Sequence, residues 1–225
     1  MKISGLEKLT LTDYPGHLAC IIFTQGCNFK CPFCQNSTLL PLEEGLISEE
    51  EVFAYLNKRK NVLEGVVITG GEPTIQKDLK NFILKVRNLG LKVKLDTNGY
   101  NPLVLEDLLN NNLLDYVAMD IKNSLDDYND ITATKVKIAN IEKSIKLLKE
   151  SNIDHEFRTT IVKEFHTLEK IKKIIKIIDG NKYFLQNFQN SENVINKNLH
   201  GFTEEELEEI KNELKDYSNV NIRGL

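Results

Sequence analysis

Two apolar rhythms alternate along this chain. Six short runs rich in Val, Ile, Leu and Phe read as strands: Leu18–Thr24 (LACIIFT), Gly65–Thr69 (GVVIT), Leu91–Asp96 (LKVKLD), Leu114–Ile121 (LDYVAMDI), Ile153–Val162 (IDHEFRTTIV) and Lys182–Asn187 (KYFLQN). Between them, longer stretches carry apolar residues at helical spacing, as at Leu168, Ile171, Ile174, Ile175 and Ile178. End signals support these helices. Ser48 with Glu51, and Thr203 with Glu206, have capping-box spacing. Asn101 before Pro102 fits an N-cap and first helical position, and Gly180 after IKKIIKIID fits a stop. Lys170, Lys172, Lys173 and Lys176 then fall on the solvated outer face of that last helix.

Strand and helix in series predict an α/β fold with a parallel sheet and right-handed crossovers, either open and doubly wound or part of a (β/α) barrel. Both architectures place chemistry just beyond the C-terminal ends of the strands. No Pro/Gly/Ser-rich linker divides the chain, so residues 1–225 read as one domain: an extended N-terminal segment at 1–17, βα units over 18–188, and a loop and helix over 189–225. The irregular stretch Gln189–Gly201 reads as a lid or a flexible loop.

Composition narrows the picture modestly. With 41% hydrophobic and 28% charged residues, the 225-residue chain is ordinary for a globular protein able to bury a sizeable core. A net charge of −4 and a pI near 5.7 give no global reason to expect nucleic acid or anionic lipid as partner. No apolar run approaches the roughly 20 residues that span a bilayer. The N-terminal MKISGLEKLTLTDYPG has no apolar core of a secretory signal, so a cytoplasmic, reducing location is expected.

In that setting the cysteines carry chemistry. Three of the four, Cys27, Cys31 and Cys34, fall within eight positions at spacing C-x3-C-x2-C, directly after the first strand. Cys20 lies inside the strand and reads as a small buried hydrophobe. A structural zinc normally closes with four Cys or His ligands, which here requires a distant His17 or His200. An iron–sulfur cube held by three thiolates instead keeps one iron open to a substrate or cofactor. Spacing alone leaves both readings standing.

With Phe33 just before the third cysteine and GGEP at Gly70–Pro73 after the second strand, the pattern resembles the radical S-adenosylmethionine enzymes. TDYPG (Thr12–Gly16), LDTNGY (Leu95–Tyr100) and MDIK (Met119–Lys122) resemble the activating enzymes of glycyl radical proteins, most of all those of anaerobic ribonucleoside-triphosphate reductase. The resemblance implies a partial (β/α)6 barrel, open enough to admit a peptide loop. It implies one [4Fe–4S] cluster on Cys27, Cys31 and Cys34, and S-adenosylmethionine on its open iron. Backbone near Phe33 and Gln35 would meet the adenine, and side-chain-free Gly70 and Gly71 would let backbone approach the methionine part.

By the same resemblance Glu72 would face the ammonium, Lys122 would neutralise the carboxylate and Asn98 would add a polar contact. Asp96, Thr97 and Asp120 would contact the cofactor or a monovalent cation beside it. Asp13 would meet the partner's glycine loop. Arg158 either reaches towards cofactor or substrate, or pairs with a carboxylate. Asp96 and Asp120 could instead cap turns, and His155 and His166 read as surface or strand-end residues.

The implied partners are a glycyl radical protein, most like anaerobic ribonucleotide reductase, and a flavodoxin- or ferredoxin-type electron donor, with no nucleic acid and no membrane. Other readings are an activator of pyruvate formate-lyase, a radical enzyme on a small metabolite such as a deazapurine precursor, and a zinc-bound adaptor. Gln35 departs from many glycyl radical activators, which have His after the third cysteine.

Overall fold

The six expected strand runs all form strands, in the expected order, in a computed structural model that describes residues 1–223. In chain order the elements are β1 (Ile3–Thr10), β2 (Ala19–Thr24), α1 (Glu49–Arg59), β3 (Gly65–Gly70), α2 (Leu79–Asn88), β4 (Lys92–Thr97), α3 (Pro102–Asn110) and β5 (Tyr116–Asp120). There follow α4 (Tyr128–Thr132), α5 (Ile138–Glu150), β6 (Asp154–Ile161), α6 (Leu168–Ile178), β7 (Tyr183–Asn187), α7 (Glu204–Glu213) and β8 (Val220–Arg223). All eight strands form one sheet in sequence order, with β1 antiparallel to β2 and every later pair parallel. The sheet is open, with β1 and β8 at its two ends.

Two strands lie beyond the six expected. The N-terminal extension is a full strand rather than a merely extended segment, and the C-terminal loop and helix are followed by β8. Helix ends follow the sequence signals with instructive differences. Thr203 and Glu206 make the reciprocal capping box, and Ser48 accepts from the backbone N–H of Glu51. Asn101 sits at the N-cap but spends its amide on the Thr74 carbonyl, and α6 ends with Asp179 in the left-handed region at φ +51°, one residue before Gly180. The lysine face of α6 is partly tied down, since Lys170, Lys172 and Lys173 pair with Asp127, Glu213 and Asp126.

Alternation along each strand sorts side chains to two faces. One face packs against the helices through Cys20, Ile22, Val66, Ile68, Val93, Leu95, Val117, Met119, Phe157 and Leu185, all buried in the main core. Cys20 is a fully buried free thiol there, as its setting in an apolar strand predicts. The other face curls around a cavity of about 370 Å³ reached by residues of β2 to β7. At the N-terminal ends of the strands that face is closed by Tyr14, which packs on Tyr116, His17 and Gly65. A side chain at Gly65 would meet the Tyr14 ring at 2.7 Å, so glycine is what admits the plug.

Candidate active site

The open end of the cavity is built from loops that leave the C-terminal ends of the strands. The loop after β2 brings Cys27, Cys31 and Cys34 to one wall, with Phe33 and Gln35 beside them. All three cysteines are free thiols, and burial pushes Cys27 up to about 12 and Cys31 up to about 11, and raises Cys34 as well. The nearby Lys122 ammonium opposes that shift at each of them. Neutral thiols in a dry wall next to a fixed cation are poised to become thiolates when a metal supplies further positive charge.

Among the described residues, no three His, Cys, Asp or Glu side chains converge on a point that would hold a single ion. Three thiols spread along one wall fit a cluster, whose separate irons hold their ligands apart, rather than one zinc. The histidines that a zinc site would need lie elsewhere: His17 bonds Lys92 and packs on Tyr14, and His200 pairs with Glu164. Next to Cys27, the buried Nδ2 of Asn28 has no hydrogen-bond partner among the described residues. A sulfur-rich group in the adjoining cavity would accept from it.

The GGEP segment leaves β3 facing this loop. The two glycines serve the protein's own backbone. A Cβ at Gly70, where φ is +123°, would stand 2.2 Å from the Thr24 nitrogen, and one at Gly71 would stand 2.0 Å from the Gly26 carbonyl oxygen. The glycines are therefore required because the turns after β2 and β3 touch, a reason that holds before any ligand approaches.

Glu72 is buried and knits its own turn to the end of β4. Its Oε1 accepts from the Thr74 amide, the Thr74 hydroxyl and the Thr97 hydroxyl, and its Oε2 accepts from the Asn98 amide at 2.7 Å. Burial raises its pKa against those four hydrogen bonds. The Asn98 side-chain amide in turn donates to Asn28 Oδ1 at 2.8 Å, so the loop after β4 is fastened to the cysteine loop.

Deeper in the cavity lies a chain of charges. Lys94 pairs with Asp96, Asp96 with Arg158 at 3.3 Å, Arg158 with Asp120 at 2.9 Å, and Asp120 with Lys122 at 3.0 Å. Burial alone would raise the Asp120 carboxyl, but Arg158 and Lys122 outweigh it and hold it at about 2. Burial works against the charge on Lys122 and Arg158 too, yet the carboxylates beside them raise both. In this strip each carboxylate lies between two cations, Asp96 between Lys94 and Arg158 and Asp120 between Arg158 and Lys122, and Arg158 and Lys122 line the cavity itself. Arg158 is ion-paired with Asp120 and Asp96, and it lines the cavity. Asp96 and Asp120 serve in this chain of charges, not as turn caps.

Asp13 lines the same cavity from the turn after β1, where it accepts from the Thr10 and Thr12 hydroxyls. Gln35 donates its amide to the Gln189 carbonyl at 2.7 Å, Ser37 bonds the Asn193 carbonyl, and the Asn196 N–H bonds the Pro32 carbonyl at 2.9 Å. The stretch 189–201 is thus strapped to the cysteine loop, and its own Val194 and Leu199 are buried.

Three contributors were not expected. His166 corrects its reading as a surface or strand-end residue. It is buried, its Nδ1 accepts from the Val162 N–H at 2.9 Å and its Nε2 donates to the Lys122 carbonyl at 2.9 Å, which pins the peptide bearing Lys122. Burial lowers its pKa, keeping the ring neutral in that role. His155 is half-buried and bonds Asn181, away from the cavity. Lys94 belongs to no motif, but it lies two residues before Asp96 on one strand face, a signal that alternation carries; Tyr14 lies within TDYPG, which does not display its packing on Tyr116 and Gly65.

The curled sheet, parallel from β2 onward, thus carries three thiols and a charged strip at its C-terminal mouth. The chain belongs to the Radical SAM superfamily, whose pattern it matches over residues 21–178. It is 37% identical over 193 residues, 83% of this chain and 80% of the relative, to a Methanocaldococcus jannaschii protein named as a glycyl-radical enzyme activating enzyme. It is 29% identical over 185 residues, 79% of this chain and 76% of the relative, to the pyruvate formate-lyase-activating enzyme of Clostridium pasteurianum. Its fold matches that of Streptococcus suis SuiB bound to S-adenosylmethionine at a TM-score of 0.70 and 18% identity, over 88% of this chain. The chain spans about half of SuiB, 48% of its length. Family membership implies a [4Fe–4S] cluster and S-adenosylmethionine, and the donor set described above fits both. Among the described residues, no helix is long and apolar enough to cross a membrane.

Proposed function

We propose that this chain activates a glycyl radical protein, with anaerobic ribonucleoside-triphosphate reductase as the partner. The observation that carries the reading is the placement of three thiols and the paired Arg158, Asp120 and Lys122 on one cavity whose sheet is open at its edge. The two relatives' names support it. When bound, the cluster and S-adenosylmethionine would supply one-electron chemistry, with a flavodoxin- or ferredoxin-type donor as the source of the electron and a hydrogen atom on a glycine Cα of the partner as the target.

The chain's own residues bind, aim and shield. Cys27, Cys31 and Cys34 hold three irons. Lys122 is placed to draw the cofactor carboxylate, while Glu72 Oε2, with one donor, keeps acceptor capacity for the ammonium. The backbone at Gly70, Gly71, Phe33 and Gln35 forms the walls for methionine and adenine. Thr97 and Asn98 hold Glu72 in place, and Asp13 meets the partner's main chain. A monovalent cation at Asp96 or Asp120 would share oxygens already paired with Lys94, Arg158 and Lys122, so its affinity would be low. Ile21, Phe23 and Val67 give the opposite wall an apolar lining that keeps water from the reacting carbon.

Anaerobic reconstitution with iron and sulfide, followed by metal analysis, should yield about four irons per chain. Cys31→Ala should lose the cluster chromophore and the cleavage of S-adenosylmethionine. Reductase and pyruvate formate-lyase, incubated separately with the reconstituted enzyme, should differ, with the glycyl radical resonance arising on the reductase. A single tightly bound zinc overturns the reading, and a resonance on the lyase alone moves the partner.

A further inference from the structure

A glycine whose hydrogen is to be removed offers no side chain to grip, so its enzyme must hold the flanking main chain. Buried peptide N–H and C=O groups need partners, and a side-chain amide supplies both a donor and an acceptor. This molecule already uses an amide in that way: Asn187 donates to the Phe202 carbonyl and accepts from the Phe202 N–H, each at 2.9 Å.

One residue back along β7, on the concave face, is Gln186. It is the register partner of Thr160 on β6. Both line the cavity of the three cysteines, and both also line a smaller cleft of about 260 Å³ beside it, with Gln35, Gln189 and Arg223. Their polar neighbours are engaged: Arg158 with Asp96 and Asp120, Gln35 with the Gln189 carbonyl, and Arg223 with Glu156. Among the described residues, the Gln186 amide and the Thr160 hydroxyl have no hydrogen-bond partner in the protein. They are two polar groups, side by side on paired strands, at the junction between the cluster cavity and the cleft that leads from it.

We propose that Gln186 and Thr160 form the clamp for the main chain of the glycine-bearing segment, which enters along the cleft in extended form. The inference rests on the function proposed above and assigns its substrate-binding residues. Gln186 takes one peptide unit by both its N–H and its C=O, and Thr160 takes a neighbouring one. The pairing fixes the segment's register, and hence which carbon faces the cofactor.

The test uses the reconstituted holoenzyme with full-length reductase and lyase, and with a synthetic peptide carrying the glycine segment of whichever accepts the radical. Glycyl radical yield and S-adenosylmethionine cleavage are measured against substrate concentration for wild type, Gln186→Leu, Gln186→Glu and Thr160→Val. Loss of one or two main-chain hydrogen bonds should raise the half-saturating substrate concentration about tenfold in Gln186→Leu, with a smaller rise in Thr160→Val. Gln186→Glu keeps an acceptor without the donor, so it should fall between wild type and Gln186→Leu, and it carries the test if the leucine variant does not fold. Radical formed per cofactor cleaved should fall with them. Unchanged half-saturation in these variants overturns the clamp while wild-type radical formation still supports the parent function. A parallel fall in cofactor cleavage, leaving the ratio constant, overturns it too. A wild-type enzyme that cleaves the cofactor yet marks neither protein overturns the parent reading and the clamp with it.

Discussion

The two faces of the sheet are made from the same strands and obey opposite rules. On the convex face, Val93, Leu95, Val117 and Phe157 are fully buried against helices, and what matters there is volume. On the concave face, one residue out of step, Lys94 and Glu156 are buried and Asp96, Arg158 and Asp120 partly so, and what matters is charge balance. The concave face is itself divided. Ile21 and Val67 on β2 and β3 keep it apolar, whereas β4 to β6 carry the ions. The fold needs only the convex rule. The concave face is free to hold chemistry, because its charges satisfy one another in the absence of ligand.

The largest break in this comparison comes from the convex side. Phe157→Ala removes a fully buried ring between Met119 and Tyr183, its register partners on β5 and β7. It should cost about 3–5 kcal/mol, read as a lower midpoint in denaturant unfolding. A loss under about 1 kcal/mol would mean that the convex face collapses to fill the gap, contrary to close packing.

The next break is in the charge balance and appears in its pH dependence. Asp120 has a folded-state pKa held near 2, below its usual 3.8, so its stabilising contribution is present above pH 4 and is lost as pH falls from about 4 towards 2. Asp120→Asn leaves Arg158 and Lys122 facing each other. It should be less stable than wild type at neutral pH, with the gap closing across that acid window. Unfolding midpoints of the cluster-free protein from pH 6 to pH 2 measure it. A gap that is constant with pH would show that the ion pairs contribute nothing beyond shape.

The same contrast explains what the sequence revealed. The strands of the convex core were legible because alternation and short apolar runs depend on local pattern. β1, with its ISGLEKLT, and the four-residue β8 were not, because both take their strand character from pairing with neighbours. The cysteines, GGEP, DTNG and MDIK marked the site from motif alone. His166 and the Tyr14 plug were missed because their roles depend on backbone groups far along the chain, such as the Lys122 carbonyl. The polar positions 154, 156, 158 and 160 of DHEFRTTI alternate onto one face of β6, but the partners that make part of that face a charged interior lie on other strands. The glycines of GGEP stand out in the sequence, but the contact between two turns that requires them is displayed by no local pattern.

The smallest expected effect sharpens the boundary between the two rules, at the plug where the faces meet. Tyr14 and Tyr116 stack with ring centroids 6.2 Å apart, and both are nearly buried. The Tyr116 hydroxyl donates to Glu156 at 2.9 Å, in the charged half of the face. The Tyr14 hydroxyl has no partner among the described residues, and burial raises its pKa. Removing a buried hydroxyl that bonds nothing forfeits no interaction and relieves desolvation, so Tyr14→Phe should change stability by no more than about 0.5 kcal/mol, or increase it. Tyr116→Phe deprives a buried carboxylate of a donor and leaves it on Arg223 alone, so it should cost about 1–3 kcal/mol. Paired urea titrations of the two variants decide it. Equal losses would mean that Tyr14 also holds a partner through its hydroxyl, and the plug would then belong to the polar half of the concave face rather than to its apolar half.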